Sequence, residues 1–192
     1  MPAFEIKHRF TGAVLFTAEL GAEYESKSGS VRLGAAIKLA AKAGAYLARA
    51  NLARADLARA YLARAYLADA NLAGADLVGA YLARAYLAGA YLADANLAGA
   101  NLADANLADA NLARANHIIP AGTPDGWTAY GWLREGYLSV RVGCREKRLD
   151  EARAYWTGKD NRREVMAALD YIEAIARLRG WAIEAPAESE AA

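Results

Sequence analysis

From Ala45 to Asn116 the apolar positions recur every five residues. Leucine fills Leu47, Leu52, Leu57, Leu62, Leu67, Leu72, Leu77, Leu82, Leu87, Leu92, Leu97, Leu102, Leu107 and Leu112. Alanine fills every fifth position from Ala45 through Ala115. Ala, Leu and Arg favour helix, but the period does not. Five residues advance a helix by about 500°, so successive leucines would lie about 140° apart and circle it. A soluble helix needs one buried stripe.

An extended reading fits better. Ala and the Leu two residues on face the same side of a strand. The next Ala lies three residues further and stays inward only if the chain bends at every unit. Four such bends close a coil of about twenty residues, with the next coil about 4.8 Å above it. The sequence carries that count independently. Asn51 to Ala70 and Asn71 to Ala90 match at most positions, including Asp56/Asp76, Tyr61/Tyr81, Arg64/Arg84 and Tyr66/Tyr86. A superperiod of twenty follows. The stretch holds about three and a half coils, roughly 17 Å tall.

Here the chain resembles the pentapeptide-repeat family, whose motif is Ala-(Asp/Asn)-Leu-x-x. The resemblance covers Ala45 to Asn116 almost without a break. It implies a right-handed quadrilateral parallel β-helix, with Leu central on each side, Ala beside it and the other three positions in solvent. Six units depart from the motif, with Tyr46, Tyr61, Tyr66, Tyr81, Tyr86 and Tyr91 where the family favours Asp or Asn. The residue after Leu is almost always Ala. Such uniformity fits recent repeat expansion or an idealised sequence.

The flanks read differently. Phe4, Ile6, His8 and Phe10 alternate, and Val14, Phe16, Ala18 and Leu20 alternate after Thr11-Gly12, which predicts a β-hairpin. His8 falls on its apolar face, with no second metal ligand near in sequence, so it reads as a packed or edge histidine. Gly21 to Ser30 is loop-like. Ser30 can cap a helix over residues 31–43, with Gly44 as its stop. Leu33, Ile37, Leu39 and Ala40 would face the first coil, and Arg32, Lys38 and Lys42 water. An open coil end exposes unpaired backbone, so hairpin and helix are expected to cover it.

After His117 the five-residue pattern stops. Ile118 to Pro120 leave the coil, and residues 121–126 read as a turn-rich linker. Residues 127–133 and 137–142 predict two strands around Arg134-Glu135-Gly136. Residues 149–156 predict a short helix. Residues 161–179 predict a longer one, with Val165, Leu169, Ile172, Ile175 and Ala176 on its apolar face. With Trp127, Trp132, Trp156 and Trp181 these make a compact ββαα core expected to cap the second open end. Residues 185–192 read as a frayed, disordered tail. Arg141-Val-Gly-Cys-Arg145 and Leu149 to Trp156 resemble a segment of small phage and prophage proteins, a likeness that implies no activity.

The expected fold class is therefore mainly β: a pentapeptide-repeat β-helix over 45–117, a hairpin-and-helix cap over 1–44, and an α+β (ββαα) domain over 118–184. The whole chain has 192 residues and a net charge of +1, which argues against a general nucleic-acid binder. One cysteine, Cys144, excludes an internal disulfide and fits a reducing, cytoplasmic setting. There is no signal-peptide pattern and no run of about eighteen apolar residues for a membrane span.

Catalytic chemistry is thin. No phosphate loop, dinucleotide fingerprint, zinc spacing or nucleophile elbow occurs. Cys144, flanked by Arg141, Arg145 and Arg148 and with His117 as base, is the one candidate nucleophile; it reads instead as a buried strand-end cysteine. The basic run Arg141, Arg145, Lys147 and Arg148 is diluted by Glu146, Asp150 and Glu151. It reads as a solvated corner rather than a phosphate contact. No catalytic residue, metal or cofactor is expected.

In the repeats, Arg49, Arg54, Arg59, Arg64, Arg84 and Arg114 balance Asp56, Asp69, Asp76, Asp94, Asp104 and Asp109. Arginines crowd the early coils and aspartates the later ones, giving a dipole that could orient a partner. At a stacking of twenty, Tyr46, Tyr66 and Tyr86 form one column and Tyr61 and Tyr81 another. They are ladders that stiffen the coil, a face for another protein, or both. The expectation is a non-enzymatic protein-binding scaffold, phage or prophage encoded, using the tyrosine face, with a homodimer left open. Some members of the family it resembles mimic duplex DNA and bind type II topoisomerases such as gyrase, which requires a strongly acidic surface that these near-neutral repeats lack.

Overall fold

The computed structural model describes residues 3–121, 129–134, 137–143, 145–157, 159, 163–181 and 183. Cys144, Trp127, the Glu135-Gly136 turn, the start of the last predicted helix and the 185–192 tail lie outside them. The chain divides into two compact units, Met1–Asn116 and His117–Ala192.

In the first unit, β1 (Ala3–Lys7) and β2 (Val14–Glu19) pair antiparallel, with Ile6 opposite Phe16. Helix α1 (Gly29–Lys42) follows. Its N-cap is Ser28, whose hydroxyl accepts the Val31 N–H at 3.4 Å, while Ser30 lies inside the first turn. The expected cap was two residues late because both serines precede the apolar run. Ile37 and Ala40 are buried as the period suggests, but Leu39 is exposed. It lies 200° from Ile37, so one face cannot take both.

The repeats stack on themselves every twenty residues. Parallel bridges join Tyr46 to Tyr66, Asn51 to Asn71, Asp56 to Asp76 and Tyr61 to Tyr81, and each column continues into the next coil. The unit from Ala75 to Gly79 accounts for every backbone N–H. Asp76 donates up to Ala55, Leu77 down to the carbonyl of Asn96 and Gly79 down to that of Ala98. Ala75 closes a turn onto Leu72 at 3.0 Å. Val78 donates to the Asp76 carboxylate at 3.1 Å. Each coil therefore meets the next through single-residue bridges separated by turns, and no extended strand forms in the repeats.

The turn makes a demand that composition hides. In each unit the second residue after Leu has positive φ: Arg49 at 60°, Arg54 at 59° and Asp69 at 55°, with Gly74 at 63° and Gly79 at 62° in the same slot. With the bond from the following Ala N–H back to the Leu carbonyl, this is the pattern of a type II turn. Left-handed backbone costs a non-glycine residue about 1–2 kcal/mol. We expect Arg54→Val to destabilise the unit by about 2 kcal/mol, since a β-branched side chain tolerates this region worst. Arg54→Gly should be neutral or stabilising by less than about 1 kcal/mol, because glycine's backbone entropy offsets the relieved strain. Chemical denaturation of both variants checks the turn assignment; equal stability would overturn it.

The N-terminal elements satisfy the first coil's open edge. The Asn51 N–H donates to Lys7 O at 2.8 Å, the Arg9 N–H to Arg49 O at 2.8 Å, and the Asp56 N–H to Ser30 O at 3.1 Å. Ala45 N–H reaches Ala40 O at 2.9 Å. His8 belongs to this junction. It bridges Ala50, and its Nδ1 accepts N–H bonds from Phe10 and Thr11, both at 3.2 Å, so it fastens a turn.

The second unit corrects the expected ββαα core. Its sheet has four antiparallel strands in the order β3 (Ile118–Pro120), β4 (Ala129–Arg134), β5 (Tyr137–Val142) and β6 (Arg145–Arg148). Helices α2 (Leu149–Thr157) and α3 (Arg163–Leu178) pack on it, and Leu138, Val140, Val142, Trp156, Leu169 and Ile172 form its core. The two missed strands are both edges. β3 ends in proline and β6 reads Arg-Glu-Lys-Arg, without apolar alternation. Edge positions tolerate both features because one side needs no ladder partner.

Candidate functional site

The outward second position of each repeat decides the surface chemistry. Where it is Asp or Asn from Asp56 to Asn111, its side-chain oxygen accepts the N–H two residues on. Asp56, Asn71, Asp76, Asn96, Asn101, Asn106 and Asn111 all do this, at 3.0–3.3 Å, whereas the Asn51 Oδ1 takes the Asn71 side-chain amide instead. A tyrosine cannot accept there. The unit from Ala80 to Arg84 keeps its other four backbone bonds, and the Ala83 N–H has no acceptor among the described residues. Each tyrosine therefore forgoes a hydrogen bond worth about 1 kcal/mol.

Ring stacking returns part of that, unevenly. Tyr66 and Tyr86 stack at 5.1 Å with planes 5° apart. Tyr46 and Tyr66 lie 5.7 Å apart at 37°, and Tyr61 and Tyr81 6.1 Å apart at 34°. Aromatic pairs are worth roughly 0.5–1.5 kcal/mol, least when poorly aligned. Tyr91 stands in the column Asn51, Asn71, Tyr91, Asn111 and meets the Arg9 guanidinium at 5.0 Å. Phe10 lies under the same guanidinium at 4.4 Å and is largely exposed.

The six rings occupy three successive bridge columns around the coil, and all are 44–73% exposed. The fourth column carries Asp56, Asp76, Asn96 and Asn116. Arg64 and Arg84 fall in sequence between the Tyr61/Tyr81 column and the Tyr66/Tyr86 column. Arg84 pairs with Asp104 at 3.5 Å. Arg64 has no ion pair among the described residues.

Three of the repeat arginines are paired with aspartates one coil away. Arg49 meets Asp69 at 3.4 Å, and Arg114 grips Asp94 with two bonds of 2.7 and 2.8 Å. These pairs are twenty apart, like the bridges, so the superperiod was the signal that could have found them. The hydrogen bond from Arg114 holds the Asp94 carboxyl below its ordinary range, against a small opposing effect of burial, and the guanidinium charge adds to it. The folded pKa is depressed, so this pair's stabilisation is present above the unfolded pKa and is lost as pH falls through the folded one. We expect an NMR titration to place Asp94 below an ordinary aspartate and Arg114→Ala to return it toward the usual value. An unchanged midpoint would show that the pair is open in solution.

Cys144 lies outside the described residues. His117 stacks on Trp181 at 6.0 Å, and its Nδ1 is buried without a hydrogen-bond partner in the described structure. No group of His, Cys, Asp and Glu able to hold a metal occurs among the described residues. An ionic cluster joins α2 to α3. Arg153 bonds Asp170 and Glu173, both at 2.6 Å, and Glu173 also takes Arg177 at 2.6 Å. The Arg177 bond, with Arg153 beside it, holds the Glu173 carboxyl below its usual range. This is a helix-to-helix clasp.

The family model for pentapeptide repeats matches residues 45–82 and 80–116, in 8 copies. The coil is built of pentapeptide repeats. A search of curated proteins found none that matches the chain. The pentapeptide repeats thus account for the first unit's coil, whereas the hairpin, α1 and the second unit lie outside the matched span. Among the described residues no helix is long and apolar enough to cross a membrane.

Proposed function

We propose that the pentapeptide repeats form a right-handed quadrilateral β-helix whose tyrosine-bearing sides bind another protein, and that the chain is a non-enzymatic scaffold. The family suggests interaction rather than catalysis. The observation that carries the tyrosine face is the abandoned hydrogen bond. Six units give up the Asx bond that Asp and Asn supply, and only the Tyr66/Tyr86 pair is well enough stacked to offset that loss. Exposed tyrosines with arginine between them are also the residue types that dominate binding energy at interfaces. The likeness of the segment around Arg141 to Trp156 to phage and prophage proteins makes a bacterial partner the first to seek. DNA mimicry finds no support in the surface, where arginines and aspartates balance and three pairs are closed on themselves.

The test is affinity capture from bacterial lysate by the full chain, read by mass spectrometry beside the triple variant Tyr46→Asn, Tyr66→Asn and Tyr86→Asn. Asparagine restores the Asx bond, so the variant keeps its fold. A protein retained by the wild type and lost by the variant supports the reading. Equal recovery from both would return the tyrosines to a role within the coil.

A further inference from the structure

We propose that the second unit carries a binding site for single-stranded nucleic acid, centred on Tyr155. Three cations converge on that half-buried ring. The Arg145 guanidinium lies 4.8 Å from its centroid, the Lys147 ammonium 5.5 Å and the Lys159 ammonium 4.5 Å. They come from two places. Arg145 and Lys147 are alternate residues of β6, so they share one face of the strand, roughly 6.6 Å apart along it. Tyr155 lies on α2, which starts directly after β6, and Lys159 follows the end of α2. Trp156 meets Tyr155 edge-on at 4.9 Å and fixes the ring.

Like charges gathered round one ring repel, and Asp150, Glu151, Asp170 and Glu173 are engaged elsewhere. Asp150 pairs with Arg148 at 3.4 Å, and Glu151 accepts the Arg148 N–H at 3.3 Å. Asp170 and Glu173 are held by Arg153. Among the described residues no carboxylate reaches ion-pair distance of Arg145, Lys147 or Lys159. The cluster is complementary to successive phosphates. The ring and the Arg145 guanidinium add flat surfaces on which an unpaired base can stack. A duplex has its base faces covered, so this combination selects a single strand.

The experiment is fluorescence anisotropy of the full chain with a labelled oligothymidine of about twelve nucleotides, over a salt series. Saturable binding that weakens with salt is expected. Lys159→Glu, an exposed residue outside any helix or strand, should weaken it about tenfold. Arg145→Ala with Lys147→Ala should reduce the log–log salt slope by about 1.4. Tyr155→Leu should lower affinity by about five- to a hundredfold with little change of slope. Far-UV circular dichroism confirms that each variant is folded. The triple tyrosine variant of the repeats should bind the oligonucleotide like the wild type, so this result is independent of the scaffold reading. No saturable binding at the lowest salt would overturn the proposal. So would equal binding by folded charge variants, or duplex and polyphosphate competing as well as oligothymidine.

Discussion

Gly34→Ala should destabilise the first unit by about 3 kcal/mol, although helix propensity alone predicts a gain of about 1 kcal/mol for glycine to alanine inside a helix. The reason is one close approach. A Cβ on Gly34 would lie 1.8 Å from the Asp56 carbonyl oxygen and 2.8 Å from its carbon. Those atoms are backbone, and the same residue's N–H is bonded to Ser30 O. Neither the helix nor the coil can move aside without breaking that bond. Overpacking costs about 1–3 kcal/mol, and a lost buried hydrogen bond adds about 1 kcal/mol.

Gly29→Ala is the control. It starts the same helix, and a Cβ there meets nothing within 4 Å. It should be neutral or slightly stabilising. Amide exchange locates the damage: in Gly34→Ala the Asp56 and Asn51 amides should exchange faster, being the first-coil donors that end on the N-terminal elements. A Gly34→Ala protein as stable as the wild type, with protected Asp56, would mean that α1 does not sit on the coil edge.

How much of this was legible in the sequence differs by element. The stacking of twenty is written in the repeats themselves, and the bridges follow it residue by residue. The left-handed residue in each turn was hidden, because arginine and aspartate fill that slot in most units and neither advertises positive φ. Gly74, Gly79, Gly89 and Gly99 in the same slot were the available sign. The edge strand β6 was invisible to a reading based on alternation, since its pairing partner β5, not its own side chains, makes it a strand.

The candidate sites were legible to the same uneven degree. A spacing of twenty put Tyr46, Tyr66 and Tyr86 in one column from sequence alone. It could not tell that their rings displace a backbone hydrogen bond. The basic run after Val142 was read as diluted by its acids, because a linear count cannot see Asp150 and Glu151 turned to Arg148, leaving Arg145 and Lys147 to Tyr155.

Leu72→Ala should cost the first unit about 4 kcal/mol, near the upper end of buried Leu→Ala substitutions. Leu72 is fully buried in the second coil, with Leu52 and Leu92 one coil away on either side. A globular core answers such a deletion by partial collapse. Here the coils are held apart by main-chain bonds on every side, such as Leu52 N–H to Asn71 O at 2.8 Å and Leu72 N–H to Tyr91 O at 2.7 Å. Collapse would break those bonds, so the cavity persists and its full penalty, roughly 24 cal/mol per Å³, is felt. Stability in a stacked repeat also depends on neighbouring interfaces, and Leu72 belongs to two. Chemical denaturation measures the loss. A value under about 1.5 kcal/mol would show that the coils close over the gap, and would shift the source of stability from the leucine ladder to the main-chain bonds between coils.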